Sequence, residues 1–96
     1  MEIIFNRNEE NLYINLDGRL DTITAPEFEE FLNSNLNGVK NVKLDCEKLV
    51  YISSAGLRVL LSLNKKMKSS LKLVNVQELV MEVFEVTGFV DILEIE

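Results

Sequence analysis

The sequence predicts a single-domain α/β fold built on a mixed, mostly parallel β-sheet. Three observations carry this. Strand-like and helix-like signals alternate over most of the chain, the pattern of parallel strands joined by helical crossovers. Ninety-six residues with 47% apolar content can bury one core without disulfides but not two. No linker, internal repeat or low-complexity tract divides residues 1–96, so they are read as one domain.

The elements follow in order. A short strand is expected from about Glu2 to Phe5, then a polar turn over Asn6 to Asn11. Leu12, Ile14 and Leu16 alternate with Tyr13 and Asn15, the period of a half-buried strand, which Asp17-Gly18 should close. Thr24 is placed to cap a first helix and Pro26 to sit in its first turn. Phe28, Phe31, Leu32 and Leu36 recur at helical spacing, and Gly38 is a stop. Val39 to Asp45 reads as a strand and Leu49 to Ile52 as a short extended stretch. A central helix should begin at Ser53 or Ser54 and run to about Ser69, its broad apolar face (Leu57, Leu60, Leu61, Met67, with Val59 and Leu63) suited to a sheet. Leu71 to Val76 is the next strand. Gln77 to about Thr87 is a third helix with Leu79, Val80, Val83 and Phe84 inward, ended by Gly88. Val90 to Ile95 is a final extended stretch or short helix.

Composition excludes several function classes. Sixteen acids against ten bases disfavour a nucleic-acid backbone or an anionic membrane surface as a partner. The Lys65, Lys66, Lys68 cluster reads as a solvated helix end. No apolar run reaches the ~18 residues of a membrane span, and Met1 to Phe5 lacks the basic start of a secretion signal. Cys46 stands alone, so no internal disulfide forms, it reads as a small core residue, and a cytoplasmic location is expected. Without histidine and with one cysteine the chain lacks the ligands of a zinc site, and its acids lack calcium-loop spacing. The four glycines are too far apart for a phosphate-cradling loop, and no cofactor is expected.

The chemistry that remains lies at Tyr51-Ile52-Ser53-Ser54-Ala55-Gly56-Leu57-Arg58, where a strand hands over to a helix. A helix start offers unpaired N–H groups and the positive end of the dipole, so Ser54 could carry or meet a phosphate there. A serine hydrolase would need a base beside the nucleophile, and the chain has no histidine to supply one. Two readings of the residues stand side by side. In one, a serine caps the helix, Gly56 permits close approach to the sheet, and Asp21 is a turn aspartate. In the other, the exposed helix start and Asp21 form a site.

Gly18-Arg19-Leu20-Asp21-Thr22-Ile23-Thr24-Ala25 and Ile52-Ser53-Ser54-Ala55-Gly56-Leu57-Arg58 together resemble the STAS domain of bacterial anti-sigma factor antagonists. The resemblance covers nearly the whole chain, and Thr87-Gly88-Phe89 is similar to the family's turn after its third long helix. It implies a sheet with helices packed on one face. It implies a non-enzymatic switch that binds an anti-sigma factor, itself a serine kinase, and so frees a sigma factor. The kinase phosphorylates the antagonist at the start of the central helix, which ends the association, and a PP2C-like phosphatase restores it. By the same resemblance the phosphoacceptor falls on Ser54 and the motif aspartate on Asp21. The polar residue before the acceptor, commonly aspartate, is Ser53, which brings hydrogen bonding without charge. The partner surface would comprise Asp21, Thr22, Ser53, Ser54, Gly56, Arg58 and Ser62. The alternative is a phosphorylation-independent scaffold of the same fold. Neither direct nucleic-acid binding nor membrane insertion is implied.

Overall fold

The computed structural model describes residues 1–68 and 70–96. Among the described residues there are six strands and three α-helices: β1 (Glu2–Asn8), β2 (Asn11–Leu20), α1 (Ala25–Asn35), β3 (Asn41–Asp45), β4 (Leu49–Ile52), α2 (Ser54–Met67), β5 (Leu71–Val74), α3 (Glu78–Thr87) and β6 (Glu94–Ile95). The strands lie in the order β1-β2-β3-β5-β6, with β4 also on β2. Only β1 is antiparallel to its neighbour. Helices cover one face of this mixed sheet. The inward residues of β2 (Leu12, Ile14, Leu16), β3 (Val42, Leu44) and β5 (Leu71, Leu73) share one core with Phe28 and Leu32 of α1, Leu60 and Leu63 of α2, and Phe84 of α3. Tyr13, Asn15 and Lys43 on the other face are exposed, as alternation requires.

The first hairpin departs from expectation. Asn6, Arg7 and Asn8 extend β1, and only Glu9 and Glu10 make the turn, with Glu9 at φ 57°. Pairing with β2 in register, Asn8 opposite Asn11, satisfies their backbone groups, so no apolar alternation is needed to hold them. The second strand also runs past Asp17-Gly18. β2 pairs with β3 over Asn11–Asn15, shifts register at Gly18 (φ 117°), and then pairs with β4 through Leu20 opposite Ile52. Gly18 is therefore an irregularity inside a long strand, where only the absence of a Cβ makes that φ inexpensive.

The later elements follow the sequence more closely. The expected end of α2, Ser69, lies outside the described residues. β5 is two residues shorter than read, and Val90–Ile95 divides into the end of a 3-10 turn (Phe89–Asp91) and β6. Gly88, at φ 81°, terminates α3 as a left-handed cap. In α3, Val80 and Phe84 are buried and Val83 is half-buried, but Leu79 is 67% exposed and does not face the core.

Candidate functional site

Adjacent parallel strands end side by side, and that brings the two motifs together. Leu20 of β2 pairs with Ile52 of β4, and the next N–H, that of Ser53, donates to the Leu20 carbonyl at 2.9 Å. From this common edge β2 passes into the Asp21 turn and β4 into α2. The carboxyl ends of parallel strands are where an α/β sheet displays functional groups. Gly56 sets how closely α2 can begin. A Cβ there would lie 2.8 Å from Leu20 Cγ, 2.9 Å from Ile52 Cγ1 and 2.9 Å from the Leu20 carbonyl oxygen. The first turn of α2 rests on the very residues that pair the strands.

Asp21, not Thr24, caps the turn that leads into α1. Its Oδ1 accepts the N–H groups of Ile23 at 3.0 Å and Thr24 at 3.1 Å. Its own N–H donates to Thr24 Oγ1 at 2.8 Å, a reciprocal arrangement of the capping-box kind. Thr24 itself is in a helical conformation (φ −90°, ψ −21°) and makes no side-chain cap bond to α1, so the sequence expectation for it is corrected. Its hydroxyl donates instead to the Arg19 carbonyl at 2.7 Å. The Thr24 N–H does most to hold the Asp21 carboxyl below its usual value of 3.8. Partial desolvation opposes it, while the Ile23 N–H, the Thr24 hydroxyl and the Arg19 charge add to it.

The two serines have separate places. Ser53 occupies the N-cap of α2 (φ −105°, ψ 178°) and its carbonyl accepts the Leu57 N–H at 2.9 Å. Its hydroxyl makes no cap bond, and Ser53 Oγ is buried without a hydrogen-bond partner among the described residues. The capping expected of a serine hydroxyl is therefore made by neither residue. Ser54 is the first residue of α2 and is exposed.

Arg58, one turn along α2 from Ser54, is exposed on the same helix face. It shares a shallow depression of about 340 Å³ with Thr22, Pro26, Glu29 and Ala55, between the starts of α1 and α2. Asp21, Thr22, Ser53, Ser54, Gly56 and Arg58 thus form one end of the molecule. Ser62 continues this face one turn beyond Arg58 but is less exposed. It lies about 6 Å beyond Arg58 and about 12 Å beyond Ser54 along α2, half-buried in the crevice with α1 beside Asn33, Leu36 and Lys66.

Two neighbours escaped the sequence reading. Ile23 projects from the Asp21 turn with 85% of its surface exposed. A large apolar residue inside a polar turn was the available signal. Arg19 lies 3.6 Å from the Asp21 carboxylate and 4.2 Å from the centre of the Tyr51 ring, tying the two strands together outside the core. Its place in the first motif was visible, but its stacking partner required the register.

This arrangement can present a hydroxyl, an anchored carboxylate and an apolar side chain to a partner. It offers no base to activate a serine. Among the described residues no group of three His, Cys, Asp or Glu side chains could hold a metal. Cys46 is fully buried, its thiol pushed up to about 12 chiefly by burial and then by Asp45, so it is not a nucleophile at neutral pH. Among those residues no helix is long and apolar enough to cross a membrane.

Comparison with known proteins bears on the whole domain. The chain is 30% identical over 92 residues to the anti-sigma-B factor antagonist of Bacillus subtilis, covering 93% of this chain and 84% of that one. Its fold matches an anti-sigma factor antagonist from Mycobacterium paratuberculosis with a TM-score of 0.86 at 15% identity, covering 98% and 83% of the two chains. It also matches the Bacillus cell fate determinant SpoIIAA in its phosphorylated form, with a TM-score of 0.74 at 17% identity, covering 99% and 91%. At these identities the structural likeness is one of fold. The family model of the STAS domain matches residues 2–96, and the chain belongs to that family.

Proposed function

We propose that the protein is an anti-sigma factor antagonist whose partner binding is switched at Ser54. The observation that carries this reading is that Ser54 is exposed at the first turn of α2, on the same strand edge as the anchored Asp21. The family and the Bacillus subtilis relative, an anti-sigma-B factor antagonist, support an anti-sigma factor as the partner class; in this reading that partner is also a serine kinase. A PP2C-like phosphatase would reverse the modification.

The physical logic is local. A phosphoryl group adds roughly −1.5 to −2 charges at neutral pH. The N-terminus of α2 tolerates that charge, because its free N–H groups and dipole favour anions. The fold therefore survives modification. A partner surface packed on Ile23, Asp21 and Ser54 does not tolerate it and loses affinity through desolvation and repulsion. No change of fold is required. Asp21 contributes by holding its turn, and Ile23 with it, in a fixed place.

Phosphate mapping by fragmentation mass spectrometry after treatment with a cognate serine kinase tests the assignment. Wild type and Ser53→Ala should be modified on Ser54, and Ser54→Ala should not be modified. Ser54→Asp should release the partner in a pull-down that retains it on wild type. Modification that persists in Ser54→Ala but vanishes in Ser53→Ala would move the switch to Ser53. Unmodified protein together with unchanged binding by Ser54→Asp would favour the phosphorylation-independent scaffold.

A further inference from the structure

The charge of this chain is unevenly placed. From Gln77 to Glu96 there are six acids (Glu78, Glu82, Glu85, Asp91, Glu94, Glu96) and no lysine or arginine. Residues 1–76 carry ten acids and ten bases and are formally neutral, so the net charge of −6 resides in α3 and the chain after it. Glu94 and Glu96 are bridged by Lys72 at 3.6 and 3.2 Å. Glu78, Glu82 and Glu85 are exposed along α3, and none of them is in an ion pair among the described residues.

Beside those acids α3 carries a second apolar face. Val80 and Phe84 fill the core, but Leu79, Val83 and Val86 fall on another side of the helix, at spacings of four and three. With Val50 and Tyr51 of β4 they line a groove of about 400 Å³. Exposure is 67% at Leu79, 87% at Val86 and 46% at Val50, too much for residues that only complete a core. Such a contiguous patch rimmed by charge marks an interaction surface. The ten residues of α3 make it about 15 Å long, which matches roughly three turns of a second helix. Apolar rows at spacings of three and four are what a second helix packs against.

From this we infer that the groove between β4 and α3 is a docking surface for a basic amphipathic helix of a partner protein. Charge decides the occupant. A second copy of this chain would set Glu78, Glu82 and Glu85 against their own counterparts. A helix with lysine or arginine flanking two or three large apolar side chains would neutralise that rim and fill the groove. The nearby cation on the β4 side, Arg19, is already held by Asp21 and the Tyr51 ring. The groove is built from side chains other than those proposed for the Ser54 switch.

A designed Leu/Lys amphipathic helix of about four turns serves as the probe, with two controls: the same peptide with glutamate for every lysine, and a scrambled Leu/Lys sequence. Titration of isotope-labelled protein by NMR should move amides within 50–52 and 79–87, with affinity falling as salt rises. Leu79→Ser with Val86→Ser, both at exposed positions, should weaken the probe at least about tenfold while leaving the melting temperature near wild type. Glu82→Lys with Glu85→Lys should do the same, and Ser54→Asp, which adds negative charge outside the groove lining, should not weaken the probe. Equal binding of the acidic or scrambled peptide, shifts centred elsewhere, or affinity unchanged in both double variants would overturn the inference. So would a loss in Ser54→Asp as large as in the Leu79, Val86 variant. A dimer in sedimentation that the Leu79, Val86 variant abolishes would assign the groove to a second copy instead.

Discussion

Gly56→Ala isolates the contact that sets the geometry of the candidate site. Two effects oppose each other. Alanine in a helix is favoured over glycine by about 1 kcal/mol, so at an open position the change would stabilise α2. At this position the new methyl would sit 2.8–2.9 Å from Leu20 Cγ, Ile52 Cγ1 and the Leu20 carbonyl oxygen. Comfortable carbon–carbon contact needs about 3.5 Å or more, so something must move by roughly 0.7 Å. Leu20 and Ile52 are fully buried and cannot swing into solvent. The Leu20 carbonyl is held by the Ser53 N–H at 2.9 Å. The first turn of α2 must therefore lift, stretching that bond. Overpacking of this kind costs about 1–3 kcal/mol, which outweighs the propensity gain. A net loss near 1 kcal/mol lowers the melting temperature of a domain this size by ~4–8 °C. Calorimetry gives the sign, and amide hydrogen exchange at Ser53 locates the damage. A variant that melts at or above wild type, with Ser53 protection unchanged, would show that the close approach carries no such constraint.

Three further outcomes follow from the site. Asp21 has a folded pKa below its ordinary 3.8, so its contribution to stability is present above about 3.8 and is lost as pH falls from there through the lower folded value; Asp21→Asn should flatten that part of the acid limb in urea midpoints measured against pH, and a limb unchanged by the substitution would remove Asp21 from it. Ser53→Ala should leave stability unchanged or slightly raised, because the hydroxyl it removes is buried without a partner and makes no cap bond; a loss of about 1 kcal/mol, the usual consequence of deleting an N-cap hydroxyl, would show that Ser53 caps α2 in solution. Cys46 should resist thiol reagents at neutral pH in the folded protein and react on unfolding, since burial both blocks access and raises its pKa to about 12; rapid labelling without unfolding would mean that the space between β3 and β4 opens.

What was legible in the sequence was whatever a periodicity or a punctuating residue announces. Leu12, Ile14 and Leu16 alternate because one face of β2 is buried, and Gly88 stops α3 because it can adopt a positive φ. What was not legible depended on partners distant in the chain. Asp17-Gly18 reads as a strand end, since no local signal reveals that β2 exchanges β3 for β4 at that point. Thr24 reads as a cap because it precedes Ala25-Pro26. Yet Asp21, three residues earlier, takes the Thr24 N–H and makes the Thr24 hydroxyl an acceptor for its own, a choice between two good caps that residue type does not decide. Leu79 reads as core because i, i+4 spacing gives a helix face without saying which face meets the sheet. Val80 and Phe84 win that place and leave Leu79 with Val86 outside. The candidate site divides in the same way. Its residue types lie in two short motifs, but their meeting is a property of the β2–β4 register, because Leu20 opposite Ile52 is what sets Asp21 and Ser53 one step beyond the same strand edge. A shift of that pairing by one residue would turn one of the two buried side chains outward and lose the bond from Ser53 to Leu20. Core burial and site geometry are therefore fixed by one pairing, and the first turn of α2 keeps its place only while Gly56 leaves room for it.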